Sequence, residues 1–422
     1  MSLLRRVGYL LAGALAFSTV GTAQARFQLK GGDRVVFYGD SITEQRLYTA
    51  LTETYVVTRF PKLRVAFVHS GWGGDRVTGG HGGPIDLRLK RDVIAYKPTV
   101  MTIMLGMNDG GDRTWDEELF KTYSEGYEHI IDSVEKALPG IRITVIQPSP
   151  YDDVTRAPDF AGGYNTVLIR YGQFVRDLGG RNGLTVADMN TPVAAMLEKA
   201  KATDPKLAQK IIPDRVHPEE SGHLIMAEAL LKAWNAPALV AAVEINAATK
   251  RVARAENAKV TDLNVGQRIS WTETDGALPF PLPHPLDEVD KDFALAVNSS
   301  DFLEALDQEP LKISGLTGER YVLRIDGEEV GVFTKENLAE GVNLALAPTP
   351  MWKQASRVHD LTVKHNDLHY ARWREVQTPL QNLHVSGEQA ALDALDKLEA
   401  ATVRLQRAMA QPEPRHYELT LD

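Results

Sequence analysis

Cysteine is absent from the 422 residues. That absence excludes disulfides, thiolate-ligated zinc, iron–sulfur clusters, a cysteine nucleophile and a lipidated N-terminal cysteine. Positive charge is in short supply as well: 47 Lys and Arg stand against 56 Asp and Glu, a formal net charge of −9. An acidic surface lacks the electrostatic footprint of a nucleic-acid binder, so no nucleic-acid partner is expected. Beyond the N-terminal leader no stretch is long and apolar enough to span a bilayer. Internal repeats and low-complexity tracts are missing too. What remains, 43% hydrophobic and 24% charged residues, is an ordinary globular composition with length for two or three domains.

Residues 1–25 read as a signal peptide. Arg5 and Arg6 form a basic head, Val7 to Val20 an apolar segment, and Ala23-Gln24-Ala25 a small-residue cleavage signal. The apolar segment falls short of the ~20 residues that a transmembrane helix needs. The expectation is a periplasmic or secreted protein with no membrane span after cleavage. The paired arginines leave both the general and the twin-arginine export routes open. Loss of Arg5 and Arg6 makes the mature chain still more acidic.

From Arg34 to about Trp234 the chain alternates strand and helix. Val35 to Tyr38, Val65 to Val68, Val100 to Leu105, Ile141 to Ile146 and Leu184 to Ala187 are short apolar runs that predict five strands. Helices are expected over Ile42 to Phe60, Leu87 to Tyr96, Glu117 to Leu138, Tyr164 to Leu178, and twice more up to Trp234. Such alternation predicts a five-stranded parallel sheet in a three-layer α/β/α fold, with any site beyond the carboxyl ends of the strands. The pattern breaks at Asn235-Ala236-Pro237. Residues 26–235 are therefore one domain, and 236–422 an accessory region, β-rich and then helical. Within it, Tyr321 to Ile325 and Val330 to Phe333 flank Asp326-Gly327 as a hairpin. Leu278 to Pro285 is a proline-rich loop. Leu346 to Val376 and Gly387 to Met409 can pair as a helical hairpin.

Four short blocks stand where strands end or a helix begins. Gly39-Asp40-Ser41-Ile42-Thr43-Glu44 follows the first strand. Ser41 with Glu44 fits a capping box; the turn also suits an exposed nucleophile if a base reaches it. Ser70-Gly71-Trp72-Gly73-Gly74-Asp75 follows the second strand and reads as a turn whose glycines let backbone N–H groups face a ligand. Gly106-Met107-Asn108-Asp109 follows the third, either as an Asx-type turn or with Asn108 aimed at an oxyanion. Asp214-Arg215-Val216-His217 precedes the last helix of the domain, with the carboxylate three residues before a histidine whose Nδ1 it can bond.

In this order and spacing the four blocks resemble the SGNH (GDSL-type) hydrolase superfamily, over about residues 30 to 235. The resemblance implies that Ser41 is the nucleophile, with His217 as base and Asp214 orienting it. It implies an oxyanion hole built from Ser41, Gly74 and Asn108, with Gly73 as a second candidate for the glycine. It implies Ser-His-Asp acyl transfer on a carboxylic ester, with no metal and no organic cofactor. The first block reads GDSI where the family often has GDSL.

Other features carry less. His365 and His369 stand at i and i+4 on one predicted helix face, a zinc-binding spacing, but Asn366 stands where the metalloprotease pattern has glutamate. Gly79-Gly80 and Gly110-Gly111 lack the Lys-Ser/Thr of a phosphate loop. Trp72 and Trp115 are candidate platforms for a sugar ring, against the plainer reading that they cover the undersides of loops. Trp72 is in addition the candidate substrate-binding wall of a short acyl pocket. An O-acetyl ester of carbohydrate is the expected substrate. A lipase, acylesterase or thioesterase on longer chains, a broad arylesterase, and a non-catalytic glycan-binding protein are the alternatives.

Overall fold

A computed structural model describes residues 26–284 and 290–422. The leader read at residues 1–25 lies outside the described residues. The first layer set is a sheet of five parallel strands, β1 (Arg34–Gly39), β2 (Ala66–Gly71), β3 (Val100–Met104), β4 (Arg142–Gln147) and β5 (Thr185–Asp188), in the order β2-β1-β3-β4-β5. All five residues of β3 are buried, because helices cover both faces of a parallel sheet and leave no polar side.

The helices follow from their patterns. The expected helix from Ile42 is broken at Arg46, whose φ of 62° ends α1 (Ser41–Glu44) and starts α2 (Leu47–Arg59). After α3 (Ile85–Asp92), helix α4 (Glu117–Ala137) is capped by Asp116 and buries Tyr123, Tyr127, Ile130, Ile131 and Val134, one stripe of a 3.6-residue period. Then come α5 (Tyr164–Asn182), α6 (Asn190–Thr203), α7 (Pro205–Ile211) and α8 (Glu220–Ala233). Three helices thus follow β5, not two, because Asp204 with Pro205 restarts the chain as a separate capped helix.

The C-terminal half contains β6 (Ala242–Asn246), β7 (Arg251–Glu256), β8 (Ala258–Val265), β9 (Ile269–Asp275), β10 (Pro310–Ser314), β11 (Arg320–Ile325), β12 (Glu328–Thr334) and β13 (Val342–Asn343). A last strand, β14 (Arg415–Leu421), follows the helical hairpin. One sheet runs β8-β9-β14-β11-β12 and is antiparallel; the other runs β13-β10-β6-β7. The β11–β12 hairpin turns on Asp326 (φ 52°) and Gly327 (φ 82°), the positive angles that a two-residue turn demands. Its sheet closes around a core with Trp271 stacked on Tyr417.

Between β9 and β10 lie α9 (Lys291–Asn298) and α10 (Phe302–Leu306). Phe280, Phe293, Phe302 and Leu306 belong to the core of the α/β layers, so the chain returns to the first core after residue 235. The helical hairpin is α12 (Pro350–Tyr370) and α13 (Glu388–Met409), after the short α11 (Lys335–Glu340). Helix α12 continues into a π-helical turn, Ala371–Gln377. It packs on α13 and also on α2. That covering explains why nearly every residue of α2 is buried, Thr49, Thr52 and Glu53 included. Among the described residues no helix is long and apolar enough to cross a membrane.

Candidate active site

The register levels the carboxyl ends of three strands: Gly39 stands beside Gly71 on one side and Met104 on the other. The first three blocks therefore emerge at one edge. The chain after Gly39 turns back at once over β2, and α1 sits directly on Gly71. A Cβ there would lie 2.2 Å from the Glu44 nitrogen and 2.4 Å from the Thr43 carbonyl carbon, so only glycine fits.

The cap of α1 is Asp40, whose Oδ1 accepts the Ile42 N–H at 3.0 Å. Asp40 is 1% exposed, and burial pushes its carboxyl up to about 7. The capping-box reading of Ser41 with Glu44 is thereby replaced. Ser41 is left with its hydroxyl free to face His217, at 2.8 Å from Nε2. His217 Nδ1 donates to Asp214 Oδ2 at 2.6 Å. A carboxylate only accepts, so the proton sits on Nδ1 and Nε2 accepts the serine hydroxyl.

Asp214 also organises its own loop. Its Oδ1 accepts the N–H groups of Val216 at 3.0 Å and His217 at 2.7 Å. Burial acts to raise its pKa, but these bonds and the imidazole outweigh it and hold the carboxyl below its ordinary value. Arg215 takes a φ of 72° to close the loop, and its backbone carbonyl accepts from Asp152. Gln45 ties the loop to α1 by donating to the Pro218 carbonyl at 3.2 Å. Sequence reading gave Gln45 no role, and a glutamine after a helical turn carries no signal of one.

The second and third blocks are stitched together. Asn108 Nδ2 donates to the Asp75 carbonyl at 3.0 Å, Arg76 Nε to the Asn108 carbonyl at 3.0 Å, and the Val77 N–H to Asp109 Oδ1 at 2.9 Å. Burial pushes the Asp109 carboxyl up to about 7. The two candidate glycines differ. The Gly73 N–H donates to Glu44 Oε2 at 2.9 Å. Gly74, at a φ of +74°, lies between that tie and the one from Asn108. Glu44 thus holds the loop, a function that its reading as a capping partner hid.

Trp72 does not face the cleft. It is 4% exposed, with the Arg374 guanidinium 3.3 Å from its ring centroid and Trp373 edge-on at 5.6 Å. The reading of Trp72 as a substrate-binding wall or platform is corrected on this ground: arginine guanidiniums and an indole occupy its surroundings. Trp115 lies under Arg170 and against Phe120 and Tyr171, a loop cover. Glu399 Oε1, 3.8 Å from His369 Nδ1, also lies beside His365. The two ring nitrogens of His365 are each 3.1 Å from a carboxylate, Glu53 and Glu399. A cleft of about 260 Å³ opens beside Asn108 and Val216, walled by Arg76, Asp112, Tyr151 and Tyr164.

An α/β sheet with a Ser–His–Asp line at its carboxyl edge is an arrangement in which a histidine can activate a serine hydroxyl. Residues 37–225 match the model of the GDSL-like lipase/acylhydrolase family, which supports the SGNH/GDSL superfamily for the α/β domain. An acetylxylan esterase of Geobacillus stearothermophilus is 26% identical over 223 residues, 49% of this chain and 95% of that protein. The solved structure of a gut microbial diltiazem-metabolizing enzyme is 27% identical, with a TM-score of 0.79 over 94% of this chain and all of that one. The similarity to that enzyme therefore includes the C-terminal half.

Proposed function

We propose that the protein is an exported serine esterase that removes acetyl groups from carbohydrate. The observation that carries the chemistry is the line from Ser41 Oγ through His217 to Asp214, at 2.8 and 2.6 Å. As Ser41 Oγ attacks the ester carbonyl carbon, His217 Nε2 takes its proton. Asp214 keeps the imidazole in the right tautomer and stabilises the imidazolium. The oxyanion forms against the N–H groups of Ser41 and Gly74 and the Asn108 amide. Removing one such donor typically costs ~3–4 kcal/mol of barrier. His217 then hands the proton to the leaving alcohol, and a water repeats the cycle on the acyl-serine.

Two observations support an acetylated sugar. The acetylxylan esterase is similar across nearly its whole length. The cleft beside Asn108 is walled by Arg76, Asp112 and Tyr151, groups suited to the hydroxyls of a polar alcohol portion rather than to an acyl chain. Export is supported by the basic, apolar and Ala-Gln-Ala segments of residues 1–25.

The test is hydrolysis of p-nitrophenyl acetate, butyrate and octanoate, and of acetylated xylan, by wild type and Ser41→Ala. The wild type should favour acetate and release acetate from xylan. Ser41→Ala should lose turnover with its fold intact, because Asp40 and not Ser41 caps α1. Rates that rise to octanoate point to a lipid ester, and a fully active Ser41→Ala overturns the nucleophile.

A further inference from the structure

We infer that the π-helical turn Ala371–Gln377, delivered by the C-terminal region, clamps the Trp72–Asp75 loop against α1, and that Arg374 and Trp373 are positioning residues for the oxyanion site. The inference rests on the reading of Ser41 as nucleophile and Gly74 as oxyanion donor.

The clamp has two jaws. Arg374 stacks its guanidinium over the Trp72 ring at 3.3 Å. Its Nε is 3.4 Å from Glu44 Oε1, while Glu44 Oε2 holds the Gly73 N–H at 2.9 Å. Trp373 is the second jaw. It meets Trp72 edge-on, and its Nε1 donates to Asp92 Oδ1 at 2.7 Å. Asp92 pairs with Arg88, and Arg88 Nε bonds Asp75 Oδ2 at 2.6 Å and, through Nη2, the Ser70 carbonyl at 2.9 Å. Two adjacent residues thus hold the residue before Gly74 and the residue after it, from either side.

Arg374 is 330 positions from Glu44 and Trp373 281 from Asp92, so neither contact can form without the C-terminal half. π-Helical turns are rare, occur mostly as single-turn bulges inside α-helices, and are frequent at functional positions. Within the α/β domain, Glu44 and Asp75 are carboxylates whose orientation sets where the Gly74 N–H points. The Arg374–Glu44 pair is about a quarter exposed on each side, and such pairs add little to global stability. A small displacement of an oxyanion donor, by contrast, costs much of the rate. The clamp should therefore show in turnover far more than in unfolding.

The experiment uses the whole chain with p-nitrophenyl acetate. Wild type and Ser41→Ala come first. A silent wild type or an active Ser41→Ala refutes the reading of the site itself. With an active wild type, Arg374→Met should lower kcat about 10–100-fold with KM within about twofold. Arg374→Lys, which restores the charge without the planar stack, should recover part of the loss. Trp373→Phe, which keeps an aromatic ring but loses the N–H to Asp92, should also lower kcat. Inhibition by phenylboronic acid, which forms a tetrahedral adduct on the serine, should weaken in proportion to kcat. A kcat for Arg374→Met within twofold of wild type overturns the inference, as does a loss confined to KM. Should Arg374→Met not fold, wild-type kcat in both Arg374→Lys and Trp373→Phe overturns it.

Discussion

Replacing His365 by Gln should remove a pH-dependent part of the protein's stability. His365 is buried between the C-terminal hairpin and the α/β domain, 3.1 Å from both Glu53 Oε1 and Glu399 Oε1. Burial alone would lower its pKa. The two carboxylates outweigh burial and push it up to about 10. Burial likewise acts to raise Glu53, but His365 and His69 hold its carboxyl well below the ordinary range. An unfolded histidine titrates near 6.5. The raised value in the fold means that stability is fully present below that pH and is lost as pH rises through about 10. Between pH 7 and 9.5 the folded state holds one proton more than the unfolded state. The slope is then ~1.4 kcal/mol per pH unit, or about 3 kcal/mol across the window. At pH 7 His365→Gln leaves Glu53 charged without its cation, which costs ~3–5 kcal/mol. Urea unfolding of wild type and variant, followed by tryptophan fluorescence at pH 7, 8.5 and 9.5, reads both quantities. The difference between the two proteins should shrink by about 3 kcal/mol over that range. Parallel curves would refute the argument, since they would mean that His365 carries no proton at pH 7 in the fold.

Gly71→Ala should destabilise by at least ~1–3 kcal/mol, because its Cβ meets the backbone of α1 at 2.2 Å; thermal melts check this. Asp214→Asn should reduce kcat/KM by ~10⁴ by the logic of serine triads. p-Nitrophenyl acetate kinetics of wild type and Asp214→Asn at neutral pH measure that ratio. Trp72→Ala should cost ~3–5 kcal/mol in urea unfolding, as a 4% exposed indole leaves a cavity under Arg374. It should leave the acetate-to-octanoate ratio unchanged, because Trp72 does not line the cleft.

The parallel sheet was legible because its signals are local. Each strand is a short apolar run, and each of the first three blocks follows the end of one. Asp326-Gly327 marked its hairpin for the same reason, since a two-residue turn needs positive φ and little else. The D-x-x-H pair was equally readable: Asp214 reaches the N–H groups of its own next residues, and three positions suffice to define that turn.

Sequence by itself therefore determined the α/β layers, the order of the blocks and the residues that each block offers. The tertiary structure decided what those residues touch. Gly73 and Gly74 are equivalent as letters, and the bond from Gly73 to Glu44 and the positive φ of Gly74 separate them. A tryptophan in a glycine-rich loop looks exposed until Trp373 and Arg374 arrive from 300 residues away to cover it. The last strand, Arg-His-Tyr-Glu-Leu-Thr-Leu, alternates as a strand should, yet its place between β9 and β11 depends on partners 96 to 150 residues back, such as Arg324 with Thr420 and Arg268 with Glu418. Local turns and caps are fixed by steric and hydrogen-bonding rules within a few residues. Long-range pairing depends on which surfaces remain uncovered once the rest of the chain has packed, and no short window of sequence contains that information.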